Sequence, residues 1–330
     1  MGIRVLSLFN GMSCGHIALK RGGITVKEYI SSEIDKSAIK VTQYHDTDTF
    51  QIGNVELVSY KNGILYYEEP VTKIMKQKYV GRIHIVIAGS PCQDFSRANP
   101  NGEGLKGEKS GLFYEFLRIL KEVKPKYFLL ENVVMSDHDR DIITSELGVS
   151  PLKLNSNLVS AQNRDRLYWT DIEGVTIPQD KKLVFKDIAH NGVHKFLSTE
   201  DVQKKNIKET KYIKSTGVVQ WDATGGGHNS QWDRAYFQTM KTGTLSKTGA
   251  YNMNIVVDYS KDSYRKIHII EAEELQNVKP NYTNVPGVTE RQRFAMLGNG
   301  WTIDIITHIF SFMNLNYLYS EDEEMKKETA

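Results

Sequence analysis

The chain has 330 residues, 40% of them hydrophobic and 25% charged, with a net charge of +2. That length suits one large domain or two smaller ones, and no apolar run approaches the roughly 20 residues that a membrane-spanning helix needs. A near-neutral total neither demands nor excludes a nucleic-acid partner, because a local basic face can hide within it.

"MGIRVLSLF" enters a strand pattern at once, leaving no room for a secretory leader, and Leu6 stands where a myristoylation motif carries Ser or Thr. "RVLSLF" reads as a buried strand, "NGMSCG" as a tight turn, and "GHIALKRGG" as a helix with a glycine stop. "EYISSEID" is a second strand with acidic residues at its end, and "KSAIKVTQYH" a second helix. "DTFQIGNV" leads to a short third strand and "IHIVIAG" is a fourth. "SGLFYEFLRILKEVKP" is an amphipathic helix ending at Pro125, and "KYFLLENV" a fifth strand. This alternation predicts an α/β fold built on a Rossmann-like, doubly wound, mostly parallel sheet. Ligands in such sheets bind beyond the carboxyl ends of the strands, where Gly11, Glu33, Asn54, Cys92 and Glu131 all fall.

After about residue 175 the texture changes. "TGGGHNSQWDRAYFQTMKTGTLSKTGAYN" is rich in Gly, Thr and Ser with aromatic and basic residues interleaved. We read a catalytic and ligand-binding domain over 1–175, a smaller loop-rich domain over 176–265, and a C-terminal segment, 266–330, returning to the first. That last segment carries predicted helices at "IIEAEELQNV" and "TIDIITHIFSFMNLNYLY" and a charged tail expected to fray. Only two cysteines are present, Cys14 and Cys92, which suits a reducing compartment. Cys14 reads as a small buried turn residue. Cys92, in "VIAGSPCQDFSRAN", is either a buried small side chain or a nucleophile. Its place at a strand end, ahead of the glycine-rich stretch "RANPNGEGLKGEKSG", favours the nucleophile and a closing loop.

"SLFNGMSCG", "SSEID", "GSPCQDFS", "LLENV", "QNRDRLYW" and "LGNGW" stand in the order of the motifs of cytosine-5 DNA methyltransferases. The chain resembles that family over nearly its whole length outside the variable middle region. The form of the first turn and "LGNGWTIDII" is closer to phage-type enzymes and to the eukaryotic de novo class. The resemblance implies a class I methyltransferase fold and a transferase that moves a methyl group from S-adenosyl-L-methionine to carbon 5 of a flipped-out cytosine in duplex DNA. It implies Cys92 as the nucleophile that attacks carbon 6. Glu131 would hold ring nitrogen 3 and the exocyclic amine, Arg166 would contact the base and orient Glu131, and Arg164 would support the site structurally near the cysteine loop. Asn132 would support the loop rather than the chemistry.

For the cofactor, the turn at Phe9, Gly11 and Met12 would approach the methionine portion and Glu33 would accept from the ribose hydroxyls. Ile34 would pack on adenine beside Asn54 and Val55, Asn54 departing from the aspartate most members carry. Pro91, Asn299 and Trp301 complete that implied set, and for Asn299 a helix N-cap role stands alongside. The glycine-rich segments 224–236 and 241–251 resemble the recognition loops of small family members. There His228, Asn229, Gln231 and Arg234 would read base edges, Lys241, Ser246 and Lys247 would meet phosphates, and Ser96 would contact DNA near the nucleophile.

Double-stranded DNA is thus the expected partner, with no membrane, no metal and no protein partner implied. A monomer in the cytoplasm of a bacterial or phage-infected cell is expected. Two readings stand beside this one: a tRNA cytosine-5 methyltransferase of the same fold, and a catalytically inactive DNA-binding relative. A generic dinucleotide-binding protein is remote, because the first turn lacks GxGxxG.

Overall fold

The computed structural model describes residues 2–91, 111–203, 206–207, 218–222, 234–247, 252–258, 261–316 and 318. Packing divides the chain into two compact units. The first comprises Met1–Leu154, Asp165–Ile177 and Ile303–Ala330; the second comprises Asn155–Arg164 and Pro178–Thr302. Residues 266–302 therefore group with the loop-rich region, and the first unit resumes only at Ile303.

The first unit opens with strand β1 (Ile3–Leu8), helix α1 (Cys14–Arg21), β2 (Val26–Ser32), α2 (Lys36–His45) and β3 (Phe50–Gln51). Three short strands follow, β4 (Ser59–Lys61), β5 (Ile64–Glu68) and β6 (Met75–Tyr79). Then come β7 (Ile85–Gly89), α3 (Leu112–Val123), β8 (Tyr127–Val133), α4 (Asp137–Leu147), β9 (Leu152–Asn155) and β10 (Asp165–Thr170). Seven strands form one sheet in the order β3-β2-β1-β7-β8-β10-β9. The neighbours from β3 to β8 run parallel, whereas β10 lies antiparallel to β8. Residues of β1, β7 and β8 are buried almost throughout, which is why they read as continuous apolar runs rather than as alternation.

Helix α3 turns Phe113, Phe116, Leu117, Ile119 and Val123 to the core at helical spacing. It stops where Lys124 adopts a left-handed conformation (φ 48°) ahead of Pro125. Helix α4, which has a weak apolar stripe, is started by Ser136, whose hydroxyl accepts from the Asp139 N–H at 3.2 Å. The separate sheet β4-β5-β6 was not apparent from hydrophobic pattern. Its signal is Asn62-Gly63, both with positive φ (51° and 79°), the pairing that a two-residue hairpin turn demands.

On α1, His16 stacks on Tyr29 with ring centroids 4.3 Å apart. Burial pushes its imidazole down to about 4, outweighing the attraction of the Asp46 carboxylate 3.3 Å away. Protonation is thus easier in the unfolded chain. The stability that neutral His16 contributes is complete above about pH 6.5 and is lost as pH falls from there towards 4. The full loss is about 3 kcal/mol, at about 1.4 kcal/mol per pH unit. In denaturant melts at pH 7 and pH 4.5, His16→Gln is expected to lose less stability over the interval than the parent. Equal losses would contradict this assignment.

In the second unit, α5 (Thr199–Gln203) precedes β11 (Asn206–Ile207), β12 (Val218–Asp222), β13 (Arg234–Phe237), β14 (Asn254–Asp258) and β15 (Ser263–Lys266). They form a five-stranded sheet in chain order, antiparallel except for β13 with β14. Val202, Val219, Ala235, Val256 and Tyr264 make its small core. Helices α6 (Ile269–Leu275) and α7 (Glu290–Asn299) follow in this unit. Helix α7 escaped the periodicity reading, but Thr289 and Gln292 form a capping box that marks its start.

Helix α8 (Ile303–Phe310) belongs to the first unit. The predicted 302–319 helix is interrupted after Phe310, where the Asn314 N–H goes to the Tyr127 hydroxyl at 3.2 Å instead of to a helical carbonyl, and residues 315, 316 and 318 are helical again. Among the described residues, no helix is long and apolar enough to cross a membrane, and no cluster of three acidic, His or Cys side chains is set to hold a metal.

Candidate active site

The carboxyl end of the parallel sheet gathers the first group of candidates. After β1 the chain makes a tight turn in which Phe9 (φ 55°), Gly11 (φ 57°) and Ser13 (φ 65°) are all left-handed. Asn10 locks this turn: its Oδ1 accepts from the Ser7 hydroxyl at 2.8 Å and the Tyr29 hydroxyl at 3.0 Å, and its Nδ2 donates to Ser13 at 2.7 Å. Nothing in the motif reading assigned Asn10 this part. A side chain at Gly11 would meet no atom within 4 Å, so the space over this backbone is open. Met12 is 1% exposed and contributes only its backbone to the outer face of the turn.

Glu33 follows β2 directly. Its Oε2 accepts from the Gly11 N–H at 2.6 Å, and its Oε1 from the N–H groups of Ile34 and Asp35, each at 2.8 Å. A carboxylate offers about four acceptor positions, so one remains for an incoming donor. Beside it, Ile34 is 72% exposed, an apolar surface without a cover. Asn54 caps a single turn of 3₁₀ helix, Val55–Leu57. Thus Phe9, Gly11, Met12, Glu33, Ile34, Asn54 and Val55 follow three adjacent strand ends, β1, β2 and β3.

The second group lies at β7, β8 and β10. Gly89, the last residue of β7, pairs with Glu131 of β8, and Pro91 stands two residues further on. Glu131 faces Tyr168 across the β8–β10 ladder, which puts Arg166 on the diagonal of the same face, within reach of a long side chain. Arg166 Nε lies 3.0 Å from Glu131 Oε1, with side chains 12% and 9% exposed. Asn132 points elsewhere: its Nδ2 donates to the Ser90 hydroxyl at 3.0 Å, tying β8 to the residue before Pro91. Cys92 and Ser96 lie outside the described residues, as do His228, Asn229 and Gln231.

The Gln-Asn-Arg-Asp-Arg segment does two jobs. Arg166 goes to Glu131, whereas Gln162 and Arg164 organise the second unit. Arg164, 2% exposed, donates to the carbonyls of Leu245 (2.7 Å), Gly298 (3.1 Å) and Gly300 (2.9 Å). Gln162 accepts from the Leu245 N–H at 3.3 Å and donates to Gln276 at 3.0 Å. Gln276 in turn holds the Leu297 carbonyl at 2.7 Å. Gln162 and Gln276 were not among the predicted site residues, although the first stands inside a quoted motif.

The glycine of "LGNGW" has a packing reason as well. A Cβ on Gly298 would sit 2.4 Å from the Ser246 carbonyl carbon and 2.5 Å from the Lys247 nitrogen. Gly298→Ala is expected to cost about 2 kcal/mol or more, since backbone must yield. An unchanged melting temperature would contradict that. Trp301 is 8% exposed within this same unit. Asn299 is the last residue of α7, so it is not the N-cap anticipated.

Lys241 requires a correction. Its ammonium donates to the carbonyls of Asn157 (2.6 Å), Ser160 (3.1 Å) and Leu183 (2.6 Å), and burial pulls its pKa below the ordinary lysine value. All three of its protons are spent on the protein, so it is a staple of the second unit rather than a phosphate contact. Lys247 is exposed and Ser246 half-buried, and Arg234 opens β13 with its carbonyl accepting from Asn254 Nδ2 at 3.3 Å.

A family model described as C-5 cytosine-specific DNA methylase matches residues 3–314. The chain belongs to this family. It is 31% identical over 229 residues to the orphan methyltransferase M.SPRI of Bacillus phage SPR, across 65% of this chain and 48% of the relative. The type II methyltransferase M1.ScrFI of Lactococcus lactis subsp. cremoris is 27% identical over 310 residues, 85% of this chain and 70% of the relative. The chain spans about half the length of the phage relative. Among solved structures, the Entamoeba histolytica methyltransferase EhMeth superposes with a TM-score of 0.65 at 13% identity, covering 94% of this chain and 98% of that one. The likeness to that solved structure bears out the predicted α/β class.

Proposed function

We propose that the protein transfers a methyl group from S-adenosyl-L-methionine to carbon 5 of a cytosine flipped out of duplex DNA. The observation that carries this reading is the Arg166–Glu131 pair, 3.0 Å apart at the carboxyl end of β8 and one strand from the end of β7, after which Pro91 stands.

The residues present fit the cofactor. The open backbone at Gly11 admits the methionine portion, the remaining acceptor position of Glu33 suits a ribose hydroxyl, and the bare face of Ile34 suits a purine. When bound, the cofactor supplies an electrophilic methyl group. The chain's own residues do the rest. Cys92, as thiolate, adds to carbon 6 of cytosine, and carbon 5 becomes the nucleophile that accepts the methyl group. Glu131 holds ring nitrogen 3 and the exocyclic amine as charge builds on the ring, and Arg166 keeps Glu131 in place and meets the base oxygen. Water takes the carbon 5 proton as the thiolate leaves. Arg164 acts at a distance by holding its three carbonyls.

The loop-rich second unit is the part we assign to target recognition, with a duplex site of about four base pairs, the reach of two loops in a major groove. Ser96 would contact the DNA beside Cys92. Arg234 is the first choice for a guanine, since its planar fork donates to two acceptors on one base edge. His228 and Gln231 stand next to it in that role, and Lys247 meets phosphate. Arg234→Ala is expected to relax one position of the methylation logo and to cost about 1–3 kcal/mol on the cognate site alone. A logo unchanged on a random duplex library would remove Arg234 from base reading. The reaction itself is tested by bisulfite sequencing of DNA and of tRNA from cells expressing the protein. Converted cytosines protected at a fixed DNA sequence support the reading; protection confined to tRNA, or none, contradicts it.

A further inference from the structure

We propose that Glu56 sets the purine selectivity of the cofactor pocket by holding the carboxamide of Asn54 one way round. The inference rests on the reading above, in which Asn54 meets the base of S-adenosyl-L-methionine. Asn54 follows β3 and begins the 3₁₀ turn. Its Oδ1 accepts from the Glu56 N–H at 3.3 Å, and its Nδ2 donates to the Glu56 carboxylate oxygen Oε2 at 2.8 Å. One residue therefore answers both ends of the amide. Turning the amide over would set its NH₂ against an N–H and its oxygen against a carboxylate, two repulsive contacts in place of two hydrogen bonds.

A free asparagine is ambiguous toward purines. Its oxygen accepts from a 6-amino group, and after a flip its NH₂ donates to a 6-oxo group. Glu56 thus fixes which way the amide faces: Nδ2 gives one proton to Glu56 and holds its other beside that carboxylate, while Oδ1 keeps a second lone pair for a purine donor. The carboxylate beside it adds negative charge, which favours an amino donor and repels a 6-oxo oxygen. This pairing also gives a reason for asparagine at 54. An aspartate there would put a second carboxylate within hydrogen-bond distance of Glu56, where like charges oppose each other. Glu56 is a positioning residue, acting through Asn54.

The full chain is titrated calorimetrically with S-adenosylhomocysteine and with S-inosylhomocysteine, which carry a 6-amino group beside a bare N1 and a 6-oxo group beside N1–H, respectively. The parent is expected to prefer the adenosyl compound by on the order of 10²-fold or more, as sites built around a specific donor do. Glu56→Ala is expected to shrink that preference about tenfold, one hydrogen bond's worth of discrimination, with an unchanged melting temperature because Glu56 is exposed. Asn54→Asp is expected to weaken adenosyl binding while Glu56 is present and to recover it in the double variant Asn54→Asp with Glu56→Ala. A folded Glu56→Ala protein with an undiminished preference would overturn the inference alone, as would Asn54→Asp binding as tightly as the parent. A parent that binds neither compound would overturn the cofactor reading and this inference with it.

Discussion

Replacing Cys92 by serine is expected to abolish methyl transfer while leaving duplex binding intact. Attack on carbon 6 needs an anionic nucleophile, and a thiolate forms near neutral pH where a serine alkoxide does not. The loss should be on the order of 10⁴-fold or more in single-turnover rate, the scale seen when a covalent nucleophile is removed. Binding should survive because phosphate and groove contacts supply the affinity and none of them uses the thiol. A gel shift at parental affinity beside an undetectable rate is the expected pair of results. A Cys92→Ser protein that still turns over would remove covalent catalysis from the account.

Glu131→Gln is the second large effect. The amide keeps the shape of the acid, and its oxygen still accepts from Arg166 Nε, now 3.0 Å from Glu131 Oε1. What is lost is the acid group that relieves the charge building on the ring as carbon 6 is attacked. A fall on the order of 10²-fold in single-turnover rate is expected, typical of a positioned acid or base. Affinity for S-adenosylhomocysteine should stay unchanged, because its contacts are assigned to the β1, β2 and β3 ends. Weaker cofactor binding with an intact rate would mean the two groups of residues have been given each other's roles. Arg166→Ala is a poorer test, since it leaves a carboxylate 7% exposed without its cation and so endangers the fold.

Much of this arrangement is legible in the sequence. The runs Ile3–Leu8, Ile85–Gly89 and Tyr127–Val133 are apolar on both faces, so their burial in a parallel sheet follows from composition alone. Helix α2 spans the predicted 36–45 residue for residue, and Asp35, which the sequence places at the end of the second strand, caps it by accepting from the Ser37 N–H at 2.8 Å. Glu33 and Glu131 are legible because both fall at the carboxyl ends of predicted strands, inside motifs that the family resemblance assigns.

Other features depend on partners remote in sequence. Lys241 looks like any loop lysine until the carbonyls of Asn157, Ser160 and Leu183 are brought around it. Arg164 and Arg166 are two residues apart in one motif, yet their partners, Gly298 and Glu131, lie on opposite sides of them in the chain. The need for glycine at 298 is set by the backbone of Ser246, which no local pattern announces. The hairpin at Asn62-Gly63 is different, since its turn dipeptide is local and legible in the sequence even though its strands have no strong apolar alternation.

The most direct test of the central claim is covalent capture. Duplex DNA carrying 5-fluorocytosine at the methylation site, incubated with the protein and S-adenosyl-L-methionine, should trap the enzyme, because fluorine at carbon 5 blocks the final elimination. A denaturation-resistant protein–DNA adduct is expected, in which peptide mapping finds the methylated base bonded to Cys92. Active enzyme that forms no such adduct, or an adduct on another residue, would contradict it.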